Sequence, residues 1–340
     1  MTEIVTFQEA LEVTSGESRR HLLLGNGFSR ACRDDIFAYN ALFEQAFFDD
    51  LSPTARHAFD ALDTTDFEVV MRALRQAASL SEVYIKTEPD VAKQMRADAD
   101  ELRELLTTTI ARNHPDRPGD IEDSRYAACK AFLNHFNNVY TVNYDLLLYW
   151  TQMQREIPPD IRLDDGFRQP DDGPNTYVSW EIENTNKQNV FYLHGALHIF
   201  DAGHEIQKYI WSNTGVALVD QIRDALAQNR FPLFVAEGSS NEKKERIEHS
   251  IYLGRGLRSI AHIGGALFIY GHSLAENDEH ILKLINKGKS KFIAVGIYGD
   301  LRSDDNQRIL RRALAFNSNR KERNKAEIFF FDAESAQVWG

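Results

Sequence analysis

The chain has 340 residues, of which 43% are hydrophobic, and a formal net charge of −12. That length and apolar content support a substantial core and exclude global disorder. The acidic balance argues against direct nucleic-acid binding through the whole surface, which needs Lys and Arg at phosphates. The two cysteines, Cys32 and Cys129, exclude a four-cysteine zinc module and are expected to be buried reduced thiols.

The chain begins Met1-Thr2-Glu3-Ile4, with no basic region or apolar signal core. No stretch approaches the roughly 20 apolar residues of a membrane helix. A soluble, cytoplasmic protein without membrane partners is expected. The first strong signal is His21-Leu22-Leu23-Leu24-Gly25-Asn26-Gly27-Phe28-Ser29-Arg30, an apolar strand running into a glycine turn and a helix start. Such a turn can bring backbone amides close to a phosphate, although strand-to-helix turns also use glycine for purely structural reasons. The G-x-G-x-x-G pattern of nicotinamide dehydrogenases is broken, because Arg30 stands where its last glycine would be.

Residues 34–136 read as helical throughout. Thr65-Asp66-Phe67-Glu68 has the pattern of a capping box in which Glu68 reaches back to the helix start. A second long helix is expected over 91–113, before His114-Pro115. One helix suffices for a crossover, so 34–136 is an expected helical insertion. Its apolar positions Phe67, Val70, Leu74 and Leu105 suit packing on the core or an assembly contact.

Further apolar runs follow at 139–142, 190–193, 232–236, 266–270, 292–295 and 328–331. Continuous runs of this length suit strands buried on both faces. The expected fold class is α/β, a Rossmann-like, mostly parallel sheet with helices on both faces and the helical insertion, in one domain spanning 1–340. The proline- and glycine-containing stretch 156–189 reads as a flexible loop, either a flap over a crevice or plain surface.

Polar clusters sit just past three of these runs, where open parallel sheets bind ligands. Thr141-Val142-Asn143-Tyr144-Asp145 offers an amide and a carboxylate, which share a side if the strand continues; an Asn there is also a common turn former. Tyr144 and 146–150 read as core. His194-Gly195 ends another run, with His198 and His204 following; no convincing metal pattern is present, and none is expected. Gly271-His272-Ser273-Leu274 follows 266–270, where Ser273 suits a ribose or phosphate contact, or a helix cap. Ser239-Ser240-Asn241 with Lys243-Lys244 reads as an exposed lysine-rich turn.

In order and placement these clusters resemble the sirtuin superfamily, and most of all its bacterial sirtuin-like, antiviral branch, from about 20 to 300 outside the helical insertion. The resemblance implies that NAD is the substrate and that Gly25, Asn26, Gly27, Phe28 and Ser29 hold its pyrophosphate. Gly271 and Ser273 would contact the adenosine side. Asn143 and Asp145 would orient the nicotinamide ribose, and His194 would act as general base. Phe37 and Tyr39 fall near the family's nicotinamide pocket. Lacking the four-cysteine module, the chain is expected to hydrolyse NAD to nicotinamide and ADP-ribose without a metal. A non-catalytic NAD or ADP-ribose sensor or scaffold, or a partner-activated nuclease component, is the alternative. The resemblance also implies control by homo-oligomerisation or by a partner such as a HerA-type ATPase in antiphage defence.

Overall fold

A computed structural model describes residues 4–48, 51–85, 89–170, 175–211, 214–236, 240–318 and 320–340. The strands in chain order are β1 (Ile4–Val5), β2 (Arg20–Leu24), β3 (Asn138–Thr141), β4 (Phe167–Arg168), β5 (Tyr177–Trp180), β6 (Val190–Tyr192), β7 (Ile199–Asp201), β8 (Ile206–Tyr209), β9 (Gly264–Tyr270), β10 (Lys289–Ile297) and β11 (Glu327–Asp332). Seven of them form one sheet in the order β1-β11-β10-β9-β2-β3-β6, with every pair parallel. Successive residues of a strand point to opposite faces. Leu22, Leu23 and Leu24 are nevertheless all fully buried, so both faces of β2 are covered. This is why these strands read as unbroken apolar runs rather than alternating ones.

From β2 the chain steps outward on one side through β3 to β6. It then returns to β2's other side at β9 and steps outward through β10 to β11. This is the strand order of the doubly wound dinucleotide-binding fold, and its direction reverses between β2 and β9. Loops after those two strands therefore diverge from, or meet at, the place where such sheets bind ligands.

The crossover from β2 to β3 is the long helical segment. Helices Phe67–Tyr84 and Pro89–Asn113 pack along each other, and shorter helices, among them Tyr39–Gln45 and Pro53–Ala61, flank them. Phe59 anchors an aromatic cluster there, with ring centroids 4.9 Å from Phe43 and 5.0 Å from Phe67. Phe67 and Val70 are buried, and Leu74 and Leu105 pack partly buried against the same core. The expected capping box does not form. Asp66 is the cap, its carboxylate accepting the amides of Glu68 at 2.9 Å and Val69 at 3.4 Å. Glu68 is thereby free to turn its side chain elsewhere.

Two readings from apolar pattern need correction. Residues 232–236 are not a strand of the sheet. Phe234 makes a lone antiparallel bridge with Gly195, and Leu233 and Val235 donate to the carbonyls of Ile199 and His194. The run is apolar because Val235 and Ala236 are buried beneath that loop. Within 156–189, residues 171–174 lie outside the described residues. The rest is more than loop: β4 and β5 join β7 and β8 in a second, antiparallel sheet of order β4-β5-β8-β7. Beneath it Lys208 pairs with Asp165 at 2.5 Å, its ammonium also 4.6 Å from the Tyr149 ring centroid. Among the described residues, no helix is long and apolar enough to cross a membrane.

Candidate functional site at the carboxyl edge of the sheet

The loops after β2 and β9 meet backbone to backbone. Gly27 N–H donates to the Gly271 carbonyl at 2.8 Å, and Gly25 N–H to the Tyr270 carbonyl at 3.0 Å. A Cβ on Gly271 would stand 2.6 Å from Gly27 Cα, and one on Gly25 would stand 2.6 Å from the Gly271 oxygen. Gly271 also has φ +65°, the left-handed region. Close approach of two turns therefore accounts for these glycines. The amides of Phe28 and Ser29 donate within the turn, to Gly25 and Asn26. Asn26 spends its side-chain amide on the Phe37 carbonyl at 3.0 Å.

β3 ends at Thr141, so Asn143 and Asp145 lie beyond the strand. They still converge, because both reach Ser29. Asn143 Nδ2 donates to Ser29 Oγ at 2.9 Å and to the Gly25 carbonyl at 3.0 Å, while the Ser29 hydroxyl donates to Asp145. The other Asp145 oxygen accepts from Leu147 N–H at 2.9 Å. All three side chains are buried. Burial raises the Asp145 pKa, against the lowering pull of Ser29 and Leu147. This trio ties the ends of β2 and β3 together.

His194 follows β6 and belongs to a second cluster. Its Nε2 faces His280 Nε2 at 3.1 Å and lies 3.7 Å from Asp278 Oδ1. Asp278 Oδ2 lies 3.2 Å from His272 Nε2. His272 Nδ1 accepts the Leu274 amide at 2.9 Å, so the ring hydrogen of a neutral His272 sits on Nε2, facing Asp278. Burial, with Lys243, His280 and His272 nearby, holds the His194 pKa well below the usual histidine value. Burial likewise lowers that of His280 to about 4. For Asp278, burial opposes ionisation, but Lys243 and His272 overcome it and keep the carboxyl well below its ordinary range.

Glu68, from the helical segment, completes the cluster. Its carboxylate accepts from Tyr144 Oη at 3.0 Å, Lys243 Nζ at 2.8 Å and Asn277 Nδ2 at 2.7 Å. Lys243 also lies 3.5 Å from Asp278 Oδ1. Burial works against its ammonium, but Glu68 and Asp278 outweigh that and raise its pKa. The Tyr144 ring lies 6.3 Å from His194, centroid to centroid, which joins this cluster to the Asn143 trio.

Sequence reasoning placed Asn143, Asp145, Ser29, His194 and the glycine turns at one sheet edge, and they are there. It missed Glu68, Lys243, Asp278 and His280. Lys243 was read as part of an exposed turn, yet it is fully buried in helix Ser240–His249; Ser239 lies outside the described residues. Tyr144 packs against the core as expected, and its hydroxyl also reaches Glu68 in the cluster. Ser273 is exposed and caps no helix, since Asp278 precedes helix Glu279–Lys287. Phe37 is buried; Tyr39 is 41% exposed overall, yet its hydroxyl lies near Asp66, Glu68 and Asp278, and burial raises its pKa. His198 is buried against Tyr149 and His204 is exposed, so neither joins His194. The signal for His280 was present in Asn277-Asp278-Glu279-His280, right after the glycine turn of β9. Cys32 and Cys129 are buried free thiols, and burial lifts the Cys32 pKa to about 12.

A family described as a domain of unknown function, DUF4917, matches residues 22–339. The chain belongs to the DUF4917 family. The match spans both polar clusters and the whole helical segment between them. No curated protein matches the chain.

Proposed function

We propose that this DUF4917 chain is an NAD glycohydrolase of sirtuin-like type. The observation that carries the reading is that the Ser29–Asn143–Asp145 trio and the neighbouring His194 cluster both lie at the carboxyl edge of a sheet with dinucleotide-binding strand order. In the proposed reaction the bond from ribose C1′ to the nicotinamide nitrogen breaks, and nicotinamide leaves with the bonding electrons. It leaves as a neutral molecule, so no general acid is required. Water adds to the oxocarbenium-like carbon and its proton passes to His194. Burial holds the His194 imidazole neutral but also makes it a weak base, so proton acceptance requires the edge to open to water. Asn143 and Asp145 would hold the ribose. The glycine turns would bear the phosphates, after local rearrangement of the amides they now share.

A second reading is a non-catalytic NAD or ADP-ribose sensor. What favours it is that Asn143 Nδ2 is committed to Gly25 and Ser29, while His194 is buried against His280. Activation by assembly or by a HerA-type ATPase would reconcile the two readings by reopening the edge.

The test is release of nicotinamide and ADP-ribose from NAD, followed by chromatography, with the chain alone and with a HerA-type ATPase partner. His194→Ala is expected to abolish release with an unchanged circular dichroism spectrum. Turnover by that variant at the parent rate excludes the base role. Saturable NAD binding with no turnover under any condition establishes the sensor reading instead.

A further inference from the structure

The His194 cluster contains a geometry that base catalysis does not use. The two facing Nε2 atoms, 3.1 Å apart, cannot both carry hydrogen, so at least one presents a lone pair to the other. Nitrogens bound at ~2.0–2.1 Å to one tetrahedral ion stand about 3.3 Å apart, close to the separation seen. Asp278 Oδ1 lies 3.7 Å from His194 Nε2, and the ligand atoms of His194, Asp278 and His280 all fall within 4.8 Å of one another. Asp278 Oδ1 is buried without a hydrogen-bond partner. Its other oxygen lies 3.2 Å from His272 Nε2.

We propose that His194, Asp278 and His280 bind one divalent transition-metal ion, of the class that imidazole and carboxylate ligands select. Two imidazole nitrogens and one carboxylate oxygen suit Zn2+ or Co2+ and are a poor set for Mg2+ or Ca2+. The imidazoles are held neutral, as ligands must be. Lys243 Nζ, 3.5 Å from Asp278 Oδ1, is the competing cation; its shorter contact to Glu68, 2.8 Å, gives it a place when Oδ1 turns to the metal. A bound ion takes the Nε2 lone pair of His194. Metal loading and proton acceptance at that atom exclude each other, so the ion inhibits NAD cleavage, a consequence that rests on the hydrolase reading.

The experiment uses the full chain stripped with EDTA and dialysed, then titrated with ZnCl2 by calorimetry and with CoCl2 by visible absorption. One equivalent is expected. His280→Gln and Asp278→Asn should each weaken binding at least about a hundredfold, the upper range for loss of mere outer-shell partners. His204→Ala, which removes an exposed histidine, should change nothing. X-ray absorption of the zinc-loaded parent should show two imidazoles and at least one oxygen, a readout that needs no variant to fold. Absence of saturable binding by the parent, equal affinity in His280→Gln and Asp278→Asn, or an absorption spectrum with fewer than two imidazoles overturns the site. Zinc binding by a chain that never cleaves NAD supports the site and fails the hydrolase reading. NAD cleavage without any zinc binding does the reverse.

Discussion

Lys243 Nζ lies 2.8 Å from Glu68 Oε2, joining helix Ser240–His249 to helix Phe67–Tyr84 across 175 residues of sequence. Lys243 is fully buried and Glu68 partly so, and Glu68 takes two further donors from Tyr144 and Asn277. It fastens the helical segment inserted after β2 to the carboxyl edge of the sheet.

Breaking this pair from one side leaves a buried ammonium short of a partner. Glu68→Gln is expected to destabilise the protein by about 3 kcal/mol, the lower end for a broken buried ion pair. Adding Lys243→Met to that variant should cost less than the sum of the two single changes, because the stranded charge is gone. Urea unfolding of the four proteins measures the coupling, and strict additivity would show the pair to be energetically idle.

The meeting of the glycine turns makes a sharp contrast possible. Gly271→Ala places a Cβ 2.6 Å from Gly27 Cα at a φ of +65°, whereas Gly119 has nothing within 4 Å of its Cβ position. Gly271→Ala should therefore cost at least about 2 kcal/mol from strain and displacement. Gly119→Ala should stay within about 0.5 kcal/mol of the parent. Similar melting temperatures for the two variants would refute the close-contact account.

Asn143→Ala removes the donor that serves both Gly25 and Ser29. The orphaned, buried acceptors should lower stability by about 1–3 kcal/mol whether or not NAD is a substrate. Thermal unfolding checks this, and it matters for any activity assay. A rate lost only in proportion to the folded fraction would assign Asn143 a structural role alone.

Acid should weaken the fold above the range where its carboxylates titrate. Burial depresses His21, His114 and His280 from 6.5 to about 4. Between those values the unfolded chain binds protons that the folded chain refuses, so stability is full above pH 6.5 and falls toward pH 4. Each group contributes at most about 1.4 kcal/mol per pH unit. Asp66, raised to about 6 by burial and by Glu68, works in the opposite sense below pH 6 and offsets one histidine. Unfolding free energies at pH 7.5, 6 and 5 should decrease in that order, and a flat profile would contradict neutral burial of these rings.

Leu22 to Leu24 announced β2 because strands covered on both faces have no polar side to show, and the same held for β9, β10 and β11. The run 232–236 has the same composition but pairs by a single bridge with Gly195, and composition does not carry pairing partners. Asn143 and His194 were legible because polar side chains interrupt apolar runs abruptly. Lys243 was not. It lies in Ser240–His249, among exposed charged residues of ordinary helix character, and only Glu68 and Asp278, both remote in sequence, reveal that it is buried. Glu68 misled in turn because its spacing from Thr65 suits a cap, a role that Asp66 fills.

Charge counting across the second cluster gives one cation against two anions. Both Glu68 oxygens accept hydrogen bonds, as a carboxylate's do, Asp278 is held ionised, Lys243 is held protonated, and burial holds His194 and His280 neutral. The two carboxylates against one ammonium therefore make the buried surroundings of His194 favour positive charge in a weakly screening interior. A cation is favoured there over a phosphate. On the proposed hydrolase reading NAD would lie polarised end to end, its cationic ring toward His194 and its pyrophosphate over the paired glycine turns.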